Sequence, residues 1–155
     1  MERVRRTAMN HERDPQSDMS RDVAIPSDPA EARRVQAEID TLLASVGRFT
    51  DHELFGIRLA VEEALVNAIK HGNQMDRAKQ VRIRYTLRAQ LFEIHIADEG
   101  PGFDPADVPD PTAIENLERP CGRGLMLMRH YMSEVSFSSQ GNTVRMCKVP
   151  RNGQA

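Results

Sequence analysis

The stretch Val61 to Asn73, VEEALVNAIKHGN, constrains the fold of this chain more than any other. Alanine, valine, leucine and isoleucine occupy nearly every side of a helix drawn through it, so that helix must be covered by other parts of the protein. Three polar residues, Glu62, Glu63 and Asn67, interrupt the apolar surface. In such surroundings they need partners, from the protein or from a ligand. Glu63 and Asn67 stand four positions apart and share a face, with Cβ atoms roughly 5 to 6 Å apart. Glu62 lies about 100° round the axis and belongs to the rim.

The flanking sequence supplies layers to cover that helix. Asp28-Pro29-Ala30-Glu31 combines an N-cap, a first-turn proline and an early acid, and Val35, Ile39, Leu42, Leu43 and Val46 continue as one apolar stripe ended by Gly47. Thr50 and Glu53 have capping-box spacing and open the long helix, which His71-Gly72-Asn73 closes. From Val81 the period becomes two: Val81, Ile83, Tyr85 and Leu87 alternate with Arg82, Arg84, Thr86 and Arg88. Ala89-Gln90 turns the chain, and Phe92, Ile94 and Ile96 alternate up to Asp98. Residues 99 to 123 form a long connection with one helical turn around Ile114 to Glu118. Leu125, Leu127, Met128, Tyr131 and Met132 then mark a further helix, and EVSFSS and NTVRMCKV a last hairpin across Gln140-Gly141. Helices followed by strands predict an α+β fold, a two-layer sandwich with a mixed or mostly antiparallel sheet and helices on one face.

Residues 1 to 22 mix both charge signs without periodicity, which predicts a disordered N-terminal tail. One domain over residues 23–150 and a short C-terminal tail, 151–155, account for the rest. A net charge of −2 gives no bulk attraction to nucleic acid. Every long apolar run is broken by charge, so neither a membrane span nor a secretory signal is expected, and the expected location is the cytoplasm. Cys121 and Cys147 offer neither a disulfide framework nor metal-ligand spacing and read as reduced thiols.

Three segments carry candidate chemistry. The carboxamide oxygen of Asn67 suits Mg²⁺, which takes one or two protein oxygens and fills its remaining positions with water and phosphate; Glu63 is then placed to act as a base. The bland alternative is a polar pair at a partly exposed edge. In ADEGPGFDP, Asp98 ends a strand while Gly100 and Gly102 allow close approach of a ligand. A carboxylate there accepts a hydrogen bond from the exocyclic amine of adenine and rejects guanine, although the same residues also make ordinary surface turns. In CGRGLMLM, Gly122, Arg123, Gly124 and Leu125 lead into a helix whose N–H groups and dipole favour phosphate; a flexible loop ahead of a helix reads equally well. The chain has no G-x-x-x-x-G-K-[ST], which excludes a P-loop.

In this order, E-x-x-x-N, D-x-G-x-G and G-x-G-L resemble the N, G1 and G2 boxes of the GHKL (Bergerat) ATP-binding fold. EEALVNAIKHGN and GRGLMLMRHYMSEVSF look most like the bacterial anti-sigma-factor serine kinases. The resemblance covers about residues 22 to 150. It implies a four- or five-stranded sheet with ATP held between helices and a mobile lid formed by residues 103 to 121. It implies Glu63 as general base, Asn67 as Mg²⁺ ligand and Asp98 as adenine reader, with Gly100, Gly102, Gly122, Arg123, Gly124 and Leu125 along the nucleotide. Thr143, in GNTV, matches a family Gly-Thr near the adenine, with Asn142 departing from that pattern. The implied activity is that of an ATP- and Mg²⁺-dependent protein serine/threonine kinase that binds a sigma factor and phosphorylates a STAS-type anti-anti-sigma antagonist. A homodimer is implied as well. Two readings stand beside it: a non-catalytic nucleotide-binding switch, and a histidine-kinase catalytic domain, for which the chain lacks a phosphoacceptor region.

Overall fold

The computed structural model describes residues 18–102 and 120–151. Among these residues five antiparallel strands form one sheet in the order β1-β2-β3-β5-β4: β1 Met19–Pro26, β2 Gln80–Arg88, β3 Leu91–Ala97, β4 Glu134–Phe137 and β5 Thr143–Lys148. Among the described residues three α-helices accompany it, α1 Pro29–Val46, α2 Asp51–Val66 and α3 Pro120–Tyr131, and a π-helical turn, Asn67–Gly72, continues α2. The architecture is the expected α+β sandwich, with every strand pairing antiparallel.

Local chemistry sets most element ends. Asp28 caps α1 by accepting from the Ala30 amide, and Gly47 ends it in the left-handed conformation. Thr50 and Glu53 form the reciprocal capping box at the start of α2. Glu53 is almost fully buried, and its second carboxylate oxygen accepts from the Arg151 amide, tying the end of the described chain to that cap.

Alternation holds along β2, where Val81, Ile83, Tyr85 and Leu87 are buried and Arg82, Arg84 and Arg88 exposed. The buried side meets Ile39, Ile57, Val61 and Met128 from the helices. Burying each such side chain contributes about 1.5 to 3 kcal/mol. Residues Ile57, Ala60, Val61, Ala64 and Leu65 of α2 are all buried, as expected of a helix apolar nearly all round. Gly56 lets α3 come close, since a Cβ there would stand 3.0 Å from the Tyr131 Cβ.

Two expectations are corrected. The strand β1 starts at Met19, so residues 19–22 belong to the sheet and not to a tail. Its outer residues, Met19 to Asp22, are exposed and three of the four are polar, so composition gives no burial signal; Asp22 pairs instead with Arg82 and Arg84 on the neighbouring strand. The segment Gly122 to Leu125 is the opening of α3 itself, not a loop ahead of it, because the helix begins at Pro120, whose fixed φ suits a first turn. The expected lid at residues 103 to 121 lies outside the described residues, apart from Pro120 and Cys121 in α3, as do the helical turn around Ile114 and residues 1–17.

Candidate functional site

Glu63 and Asn67 lie one turn apart at the junction where α2 widens into the π-turn. Such a widening is uncommon and recurs at functional sites. Here it is defined by the Asn73 amide donating to the Ala68 carbonyl, five residues back, at 2.8 Å. Both side chains are half-buried, and among the described residues neither makes a side-chain hydrogen bond. Gly124 packs over them: a methyl group in its place would stand 2.9 Å from Asn67 Nδ2 and 3.0 Å from Glu63 Oε2. A polar pair on one helix thus meets the backbone of the first turns of another. Leu125 beside it is buried and Arg123 is exposed. Glu62 is exposed and lines a separate groove of about 390 Å³ between α1 and α2, together with Gln36, Leu65 and Ile69. Adjacent glutamates therefore serve different surfaces.

The far end of the π-turn meets the end of β3. A side chain at Gly72 would overlap the Asp98 carboxyl group, and one at Gly100 would overlap the Gly72 carbonyl oxygen. Gly102 has φ +75°, and a Cβ there would collide with the Gln140 carbonyl. Three glycines thus let Asp98 and its loop close against the helix on one side and the β4–β5 turn on the other.

The loop is held by its own hydrogen bonds. The Asp98 amide donates to the Asn142 carbonyl at 2.9 Å, the Glu99 amide to Asn73 Oδ1 at 2.8 Å, and the Gly100 amide to Asp98 Oδ1 at 2.8 Å. Burial pushes the Asp98 carboxyl above the usual aspartate range, opposed by the Gly100 hydrogen bond and the charge of Lys79. Thr143 pairs with Ala97, one residue from Asp98, but alternates with buried Val144 and so sits on the strand face away from the helices. Lys70 and His71 are exposed at the end of the turn.

Glu63, Asn67 and Gly124 thus form one cluster, and Asp98, Gly100 and Gly102 another, the two joined by the six residues of the π-turn. A profile of the histidine kinase-like ATPase domain family matches residues 25–148. The chain belongs to that family.

Among its relatives, the serine-protein kinase RsbW of Bacillus subtilis is 28% identical over 134 residues, which span 82% of this chain and 83% of the relative. An anti-sigma F factor of Bacillus thuringiensis is 36% identical over 112 residues, 68% of this chain and 76% of the relative. The fold also matches a crystal structure of the RsbU and RsbW domains of a Mycobacterium tuberculosis protein with TM-score 0.58. That match is 17% identical, covers 86% of this chain and spans 32% of the other, so it speaks for the fold alone. Use of ATP follows from membership in this ATPase family. The names of the two relatives agree with the kinase and anti-sigma activities that the sequence motifs imply.

Sequence reasoning missed Asn73 as anything beyond a helix end. It is fully buried and holds the Glu99 amide, and its only visible signal was a polar residue directly after the closing glycine. No helix among the described residues is long and apolar enough to cross a membrane.

Proposed function

We propose that the chain is an ATP-dependent protein serine/threonine kinase that acts as an anti-sigma factor, binding a sigma factor and phosphorylating a serine of a STAS-type anti-anti-sigma protein. The observation that carries the site is the meeting of Gly124 with the Glu63 and Asn67 side chains, which have no hydrogen-bond partner among the described residues. Half-buried polar atoms with no protein partner are suited to hold a ligand.

In this reading Asp98 accepts from the adenine amine, in a loop that Gly100 and Gly102 let close against its neighbours. The first turn of α3, with Gly122, offers backbone N–H groups to the phosphates and Arg123 offers a cation, while Gly124 and Leu125, whose amides bond within the helix, line the nucleotide by close approach. Thr143 contributes through its strand backbone beside Ala97. Asn67 has a carboxamide oxygen of the hard type that Mg²⁺ accepts, and the metal would neutralise charge on the phosphates. Glu63 takes the proton of the incoming serine hydroxyl as that oxygen attacks the γ-phosphorus and ADP leaves. Positioning by these residues supplies most of the rate, because phosphoryl transfer asks little covalent chemistry of the protein.

The proposed domain runs over residues 23–150, extended at its start by the rest of β1, in a cytoplasmic homodimer. The kinase reading is tested by incubating the protein with γ-labelled ATP, Mg²⁺ and a STAS-domain substrate. Label appearing on serine, and lost when Glu63 is changed to glutamine, is the expected result. Nucleotide binding with no transfer would instead identify a switch module.

A further inference from the structure

Asn73 is fully buried, although it follows the glycine that ends the π-turn and precedes two residues, Gln74 and Met75, in left-handed conformations. Neither is glycine, so the chain reverses here in a conformation that surrounding contacts must hold. Asn73 supplies those contacts in three directions. Its Nδ2 donates to Ser27 Oγ at 2.9 Å and to the Gln80 carbonyl at 3.0 Å, and its Oδ1 accepts from the Glu99 amide at 2.8 Å. The orientation of the carboxamide is fixed by its partners. Gln80 O can only accept and Glu99 N–H can only donate, while Ser27 gives its own hydroxyl proton to the Lys79 carbonyl at 2.8 Å.

One side chain therefore joins the β1–α1 turn, the start of β2 and the loop after β3. The Glu99 side chain closes the same circuit by accepting from the Gln80 amide. Asp98 directly precedes the held amide, and its carboxyl packs against Gly72, the residue directly before Asn73. Asn73 thus sets both the helix side and the loop side of the Asp98 carboxylate.

We infer that Asn73 is a positioning residue for nucleotide selection: without touching the nucleotide, it fixes the Asp98 carboxylate where it distinguishes adenine from guanine. The inference rests on the proposed role of Asp98 and adds a residue that the motifs do not contain. Removing Asn73 frees the Glu99 amide and lets the carboxylate wander, which weakens an oriented hydrogen bond while leaving the phosphate side of the site in place.

The experiment compares ATP and GTP binding by calorimetry for the wild type, Asn73→Ala and Ser27→Ala. Asn73→Ala is expected to bind ATP about tenfold more weakly, the equivalent of one net hydrogen bond, with GTP affinity little changed, so that the ATP-to-GTP preference falls. Ser27→Ala removes only the remote arm and should keep that preference within about twofold. A merely structural role would lower stability but leave the ratio intact, and an unchanged ratio in folded Asn73→Ala overturns the inference.

Should Asn73→Ala fail to fold, hydrogen exchange of the wild-type Glu99 amide decides. Slow exchange supports the clamp, and exchange at the rate of an exposed loop amide rejects it. Wild-type protein that binds no ATP would end the nucleotide-site reading itself, whereas ATP-selective wild type with an equally selective Asn73→Ala removes Asn73 alone.

Discussion

On the strand side of the site, the amides of Asp98, Glu99 and Gly100 are bonded to Asn142, Asn73 and the Asp98 carboxylate, whereas on the helix side the Glu63 and Asn67 side chains have no hydrogen-bond partner among the described residues. The strand side is finished before any ligand arrives. In the proposed reading this geometry is set before the nucleotide arrives, so binding needs little ordering there and the held loop favours one base over another. The helix side keeps its polar side-chain atoms without a partner among the described residues, which in the proposed mechanism suits groups that act on developing charge and a transferring proton. The two sides are joined through the π-turn, with Asn67 at its start and Gly72 at its end.

If the division holds, damage to each side has a different signature. The largest effect is expected from Glu63→Gln, which should cut phosphotransfer to a STAS substrate by about 10² to 10⁴-fold. ATP affinity measured on the same protein should stay within a few-fold, and a parallel loss of binding would break the division. Gly124→Ala comes next. The added methyl crowds Asn67 Nδ2 at 2.9 Å and Glu63 Oε2 at 3.0 Å, and transfer should fall by about 10² as the pair is displaced. The ATP-to-GTP preference should survive that change.

Asp98→Asn tests the other side. It replaces a charged acceptor by a neutral one and should weaken ATP binding by about tenfold with the preference over GTP reduced. The same carboxylate gives a pH test. Burial raises its pKa, so the free protein gains stability from Asp98 below the unfolded value and loses it as pH rises through the folded one. Nucleotide binding should run the opposite way, declining as acidification through that raised pKa protonates the acceptor.

The smallest effect is expected outside the site, at Glu93. Hydrogen bonding to His95 and then to Arg145 holds its carboxyl below the usual range, against burial. Its contribution is present above the unfolded value and disappears as pH falls through the folded one. Glu93→Gln on this partly exposed face should cost at most about 1 kcal/mol in denaturant unfolding and leave nucleotide binding untouched.

Much of the fold was legible in the chain itself. Caps at Asp28 and Thr50, the stop at Gly47, the alternation from Val81 to Leu87 and the burial of α2 all arise within a few residues of one another, from hydrogen-bond supply and apolar spacing. The site motifs were legible too, since E-x-x-x-N spacing alone puts Glu63 and Asn67 on one face. The first residues of β1 were not. Met19 to Asp22 carry no burial signal, and their place is decided by pairing with β2 more than sixty residues away.

What only the tertiary structure decided is how these local pieces face one another. That Gly124 rests on Asn67, that Gly72 abuts Asp98, and that Asn73 reaches Ser27, Gln80 and Glu99 depends on contacts between segments far apart in the chain. The widening of the helix at Asn67 belongs with them. A helix chooses among hydrogen-bond patterns that differ little in local energy, so the choice falls to packing at its two ends, and packing is settled only when the whole sheet is in place.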